Sequence, residues 1–414
     1  MSARLSPALT RVRALLADAL SPTRLDTLDR LIALGLPTPR DDAFRYTNLR
    51  LLDRRDLAPA AAGSNTTTTL PADLPIGADR LVFLNGHFDV ALSRLPATLR
   101  VETAPRTTCD AGSISAVDRI RLLNTALSGT HTTVVVPRNT QVSLDLIALS
   151  TVGCGYPSLT FQVESGAQLH VIEQHTGADE VESLTAAVID FELQDGAIAD
   201  HTLLQVAGNR AVVIGDVRAH VGRDATYRHR SAALGAQLSR FDVTVHLNAA
   251  GASTALSGLF LADSTREHHL RTLIHHAAPD CPSDQLYRGV ASGRGRGSYD
   301  GKVIVDAGAN GTNSAQSSKN LLLSPDASIE TRPQLEINAH AVKCSHGATT
   351  GSLDENMLFY LLSRGLDRDT ARAVLTYAFL GDVLKGFTPA IRAFVEARAL
   401  GRLPAADRIR EFVA

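Results

Sequence analysis

Four lysines, at 302, 319, 343 and 385, are all that this chain of 414 residues contains among its 41 basic side chains. The scarcity reads as a compositional bias toward arginine, and with 43 acidic residues it leaves a formal net charge of -2. Without a basic excess there is no electrostatic footprint for DNA or RNA, and nucleic acid is set aside as a partner. Cysteine is equally sparse. The four, at 109, 154, 281 and 344, form no CxxC and no paired zinc spacing, which speaks against a disulfide framework and fits a reducing cytosol. No apolar run approaches the ~18 residues that span a bilayer, so no membrane residence is expected. The opening "MSARLSPALTRVRALLADAL" has Arg among Leu and Ala at helical spacing and no continuous apolar core of a secretory signal. The expectation is a cytoplasmic protein.

What is present is enough apolar material for a real core, 44% of residues, in a chain longer than the roughly 100–200 residues of one ordinary domain. Leu5, Leu9, Val12, Leu15 and Leu16, then Leu25, Leu28, Leu31 and Ile32, predict two amphipathic helices. Ser21-Pro22 starts the second and Gly35 with Pro37 closes it. The stretch 58–75, rich in Pro, Thr and Ala, reads as a linker. In "RLVFLNGHFDVAL", Asn85-Gly86 between two apolar runs predicts a hairpin.

From about 131 to 347 short β-rich runs recur, most of them announced by a small turn element. These are Ser165-Gly166-Ala167, Asp195-Gly196-Ala197, Arg223-Asp224-Ala225, Ala250-Gly251-Ala252, Ala307-Gly308-Ala309 and Pro325-Asp326-Ala327, with intervals between the alanines of 30, 28, 27, 57 and 18 residues. The fourth is about two of the first three, and each unit is expected to hold two to four short strands. A sandwich of hairpins and a solenoid both fit such a pitch. The recurrent Gly-Ala and Asp-Ala corners favour a parallel β-helix, a rigid rod whose end strands need covering or pairing, so that oligomerisation follows from the fold. Beyond 351 helical periodicity returns. Ser352-x-x-Glu355 has the form of a capping box, a second helix starts at Asp367 with Ala371, Val374, Leu375, Ala378, Phe379, Val383 and Leu384 as its apolar face, and a third runs to Gly401. Three regions result: 1–95, helical with a hairpin; 96–350, the β-helix core; and 351–414, a helical tail.

Three stretches could carry chemistry. In "VKCSHGATTG", Cys344 and His346 at i and i+2 on a strand share a face, and thiolate with imidazole could hold half of a soft metal or sulfide site. "KCSHG" also looks like a nucleophile elbow, but Lys343 stands where the first Gly is needed. A turn that merely holds both side chains is the remaining reading. The run with His268, His269, His275 and His276, beside Glu267 and Cys281, invites a zinc reading; adjacent histidines on a strand face opposite ways, which favours structural or surface roles. "SGRGRGSYDGKVIV" fails the P-loop pattern, since Val303 follows Gly301-Lys302, and its glycines read as a mobile loop leading into a "GKVIVD" strand.

The segment from "QLYRGVASGRGRGSYDGKVIVD" through "LLLSPDA", "RPQLEI", "KCSHGAT" and "LFYLLSRG" resembles, in order and over roughly 90 residues, the SufB/SufD family of iron–sulfur cluster assembly scaffolds. Weaker likeness extends to "DDAFRYTNLR" and "LVFLNGHF". Gly347 after His346 makes it most like the SufD subunit. Phe44 replaces a usual Trp, and His340-Ala341 stands where an Asp pair commonly precedes Val-Lys-Cys. The resemblance implies a right-handed parallel β-helix flanked by N-terminal and C-terminal helical regions. It implies a noncatalytic scaffold that pairs through the β-helix with a SufB homologue, or with itself. The SufC ATPase would dock on the C-terminal helices, and sulfur-donor proteins would act indirectly. It also implies that His346, with Cys344 as a secondary candidate, is a ligand to a transient iron–sulfur cluster at the subunit interface, together with a cysteine of SufB. No cluster is expected to be tightly held by the isolated chain. The competing class is a secreted-type β-helix polysaccharide lyase or hydrolase, whose clustered groove carboxylates are not found beside these motifs.

Overall fold

Strand Gln168–Gly177 lies in one sheet, Ser183–Leu193 in a second, Ile198–Gln205 back in the first, and the chain keeps alternating to Lys343–Gly351. Each strand pairs in parallel with the strand one coil away. The computed structural model, which describes residues 6–62, 68–106 and 114–402, is a parallel β-solenoid of about eight turns with helices at both termini. Leu5, the centre of the expected linker and Cys109 lie outside the described residues.

Each coil holds two strands, most of about ten residues, in place of two to four short ones. One corner is made by residues with positive φ at Gly166, Gly196, Asp224, Gly251, Asp280 and Gly311, 27 to 31 residues apart. Glycine, Asp and Asn tolerate this left-handed conformation, which is why those residue types mark the pitch. The long interval contains the corner at Asp280, where Cys281 takes the place of the usual Ala. The short one arises because Pro325-Asp326-Ala327 sits at the opposite corner, between Asn313–Leu322 and Ser328–Ile337. Two corners per coil produce two interleaved series.

Inward-facing side chains fill the lumen, among them Phe161, Phe191, Tyr227, Phe241, Phe260, Tyr287 and Tyr299. Tyr287 and Tyr299 stack with centroids 4.2 Å apart. In the glycine-rich stretch, residues 292–295 form a turn with Gly293 at positive φ, and the strand it leads into begins earlier than expected and runs Arg296–Val305. Its glycines serve close packing: a Cβ on Gly297 would lie 2.2 Å from the Phe260 ring, and one on Gly301 1.7 Å from Gln316 Nε2.

The N-terminal helices are α1 (Pro7–Leu15) and α2 (Pro22–Leu34), with α3 (Asp118–Leu127) inside the region assigned to the core. The segment "DDAFRYTNLR" fastens them to the rod. The Arg240 guanidinium lies 3.7 Å over the Phe44 ring and donates to Thr47 Oγ1 and Ala43 O at 2.8 and 2.7 Å, while Arg332 bridges Asp42 and Asp300 at 2.6 Å each. Asn85 and Gly86, both with positive φ, close the expected hairpin of Arg80–Leu84 with His87–Phe88. Arg80–Leu84 also pairs in parallel with Gln141–Ser150, so the hairpin is built into the rod's own sheet.

At the other end stand α4 (Glu355–Ser363), α5 (Arg368–Leu384) and α6 (Pro389–Leu400). The cap of α4 is Asp354, whose carboxylate accepts from the N–H groups of Asn356 and Met357, in place of the expected Ser352 box. On α5 the buried line is Ala371, Ala373, Thr376, Leu380, Val383 and Leu384, with Ala378 exposed. The helix is rotated from the expected face because it lies, with α6, on a flat apolar strip of the rod formed by Leu204, Leu234, Leu259, Leu261 and Val290.

Candidate functional site

Lys343–Gly351 is the last strand of its sheet, hydrogen-bonded to Asn313–Leu322 on one side and, among the described residues, to no strand on the other. Parallel register sets Cys344 beside Ser314 and His346 beside Gln316. Both side chains therefore occupy positions that in the coil below are buried in the lumen, Ser314 at 2% and Gln316 at 4% exposure. Among the described residues no further coil covers them. Cys344 is half-buried against the end of the core, and His346 is exposed. His340 and Ala341 form the exposed corner leading into the strand, where the Gly311 N–H donates to Ala341 O at 2.7 Å. The sequence motif thus lies at the open end of the rod, on a free strand edge, and in a β-setting unlike a nucleophile elbow.

Burial raises the Cys344 thiol, so it is protonated at neutral pH in this chain alone. Thiolate character would need an added positive charge, which a bound metal supplies. Among the described residues no group of three or more His, Cys, Asp or Glu is arranged to hold a metal ion. Cys344 and His346 are two donors, and a closed site would draw the others from a second molecule.

The histidine-rich run is spent on hydrogen bonds. His268 Nδ1 meets Ser239 Oγ at 2.6 Å, His269 Nδ1 meets Ser298 Oγ at 2.8 Å, His275 Nε2 meets Asp306 at 2.9 Å and His276 Nε2 meets Ser283 Oγ at 3.0 Å. Cys281 is buried beside Ala249 O. Cys154 is buried too, with its thiol pushed up to about 11.

Sequence reasoning missed a polar column inside the rod. Inward positions of successive coils run His201, His229, Leu256, Gln285, Gln316 and His346. Below the site, Tyr299 OH and Thr272 Oγ1 both donate to Gln285 Oε1, at 3.0 and 2.6 Å, and Gln316 Nε2 donates to Tyr299 OH at 3.1 Å. Deeper, Glu173 is fully buried with His175 Nε2 at 2.5 Å and His201 Nε2 at 2.8 Å. Burial pushes its carboxyl up, and the two imidazoles outweigh that push and hold it down at about 2. Only the register, which the sequence does not state, aligns residues nearly thirty positions apart.

A family described as SUF system FeS cluster assembly, SufBD core domain, matches residues 148–379, which cover most of the rod and reach α5. The chain belongs to the SufBD family. Among its relatives is the iron–sulfur cluster assembly protein SufD of Escherichia coli (strain K12), 26% identical over 398 residues and 94% of each chain. Iron–sulfur cluster assembly SufBD family proteins of Mycobacterium tuberculosis and of Synechocystis are 28% and 29% identical, covering 85% and 87% of this chain and 85% and 86% of theirs. The SufBD core domain begins within the strand Gln141–Ser150, and "KCSHGAT" lies within it near the open end. This SufBD chain is SufD-like, and no helix among the described residues is long and apolar enough to cross a membrane.

Proposed function

We propose that this SufD-like chain is a noncatalytic scaffold of a cytoplasmic, ATP-dependent machine that assembles iron–sulfur clusters. It pairs through the open end of its rod with a SufB homologue, or with a second copy of itself, and its C-terminal helices engage a SufC-type ATPase. The observation that carries this reading is that Cys344 and His346 sit together on an end strand with a free edge. An unpaired strand is a template for another strand, and two soft or borderline ligands on it make half of a cradle. The nascent cluster is cargo: a site shared between two chains binds it and can also open to release it. His346 is the principal ligand and Cys344 the secondary one.

The helical grip is supported by α4, where Met357, Phe359 and Tyr360 are 59%, 72% and 57% exposed, an apolar patch that no described residue covers. Nucleotide-driven closure of two ATPase subunits would pull on these helices and shift the paired rods at their seam. Anaerobic reconstitution with SufB, SufC and a sulfur donor tests the ligand role. His346→Ala should assemble the complex normally yet lower iron and acid-labile sulfide severalfold, with the visible absorption of the cluster; unchanged cluster content removes His346 from the site.

A further inference from the structure

Beside the rod, under the C-terminal helices, lies a cavity of about 680 Å³. Its floor is the outer face of four neighbouring strands, contributing Asp145, His170, Asp200 and Arg230. Its roof is the segment Gly77–Asp79 together with the turn from α5 into α6, where Phe387 and Ile391 face it.

The charges are unevenly matched. Asp200 is surrounded by His170 Nδ1 at 3.3 Å, Arg228 at 3.4 Å and Arg230 at 3.5 Å. Asp145 is not. It is 3% exposed and accepts a hydrogen bond from the Gly77 N–H; its register partner Arg80 acts on it through its charge, but that guanidinium donates to Leu92 O, and among the described residues no basic side chain forms an ion pair with Asp145. With Asp79 the lining carries three carboxylates against the single guanidinium of Arg230. Burying a carboxyl without a cation in ion-pair contact is costly, and burial, outweighing the Gly77 N–H and the charge of Arg80, raises this one to about 6. A carboxyl so placed, at the wall of a cavity of ligand size with apolar surface opposite, is the arrangement that recognises a positively charged head on a carbon stem.

We propose that this cavity binds a small organic cation, an amine or guanidinium on a short apolar stem, with its head against Asp145 and its stem against Phe387 and Ile391. Because the floor belongs to the rod and the roof to the α5–α6 turn, an occupied site ties the C-terminal helices to the rod.

Calorimetric titration of the full chain with agmatine, with butylamine and with butanoate as the anionic counterpart tests this. Saturable one-to-one binding of a cation is expected, with methyl shifts at Ile391 and Ile172, and no binding of butanoate. Asp145→Asn should weaken the cation at least tenfold. Thr202→Phe, which fills the cavity from an outward strand position and leaves Asp145 intact, should do the same and carries the test should the first variant fold poorly. Asp326→Asn, remote from the cavity, should leave affinity unchanged. Absence of saturable binding, equal binding of butanoate, equal weakening by Asp326→Asn, or full affinity in Thr202→Phe would each overturn the proposal.

Discussion

Burial of histidine inside the rod ties its stability to pH. His229, His268 and His276 are each at most 1% exposed, and burial lowers the proton affinity of all three, that of His276 to about 4. Unfolding returns each to the ordinary value of 6.5. Between that value and the folded one the unfolded state holds more protons, so stability falls as pH falls through the window. Glu173 acts in the same direction lower down: its folded value of about 2 lies below the ordinary 4.5, so its contribution is complete above 4.5 and lost between the two. The unfolding free energy from urea titrations should therefore decline from pH 7 to pH 5, gently at first and steepening below 6.5 toward about 1.4 kcal/mol per pH unit for each such histidine. His276→Asn should make the slope shallower by one histidine. A stability that is flat over this range would contradict the burial of these rings in the native state.

The elements depend on one another through a few ionic anchors. Arg240 and Asp242, both on the strand Leu238–Leu247, are 3% and 1% exposed and paired at 2.8 Å, and the same guanidinium holds the N-terminal segment through Phe44, Thr47 and Ala43. Arg240→Ala takes away the closer, bidentate partner of the buried Asp242 carboxylate and leaves it only the Arg271 guanidinium at 3.5 Å, which costs about 3 kcal/mol, the low end for breaking a buried pair. Hydrogen exchange should show the loss first in α1 to α3, with the far coils protected as before; uniform loss along the rod would place the anchor elsewhere. The outward face of α4 behaves oppositely. Phe359→Ser with Tyr360→Ser touches exposed side chains and should leave thermal unfolding within about 0.5 kcal/mol of wild type while abolishing association with the ATPase. Truncation is the poorer test, because removing α5 and α6 would bare Leu204, Leu259, Leu261 and Val290 on the rod. Retained association in the double variant would move the docking surface off α4.

At the scale of the whole molecule, the pitch of the rod was legible because its corners demand left-handed backbone, and only Gly and Asp supply that cheaply at Gly166, Gly196, Asp224 and Gly251. The corner at Asp280 escaped because Cys281 replaced Ala, and the glycines of Arg296–Val305 misled because close approach to Phe260 and Gln316 calls for the same residue as flexibility does. Cys344 and His346 could be placed on one strand face from spacing alone. That this face continues the buried column from His201 through His229, Leu256 and Gln285 to Gln316, and that no described residue caps it, depends on register and on where the solenoid stops, neither of which any local pattern encodes. The stopping point also yields the sharpest test of pairing. The Lys343 N–H donates to Thr312 O, so along a parallel strand the N–H groups of Cys344, His346 and Ala348 point to the free edge. Ala348→Pro removes one of these donors without touching the bonds to Asn313–Leu322, a position where an edge strand tolerates proline. The variant should therefore fold with a melting temperature close to wild type, run as a monomer by light scattering, and fail to form the mixed complex with a SufB homologue. A mixed complex of undiminished affinity would mean that the rods meet through another face and that His346 lies outside the seam.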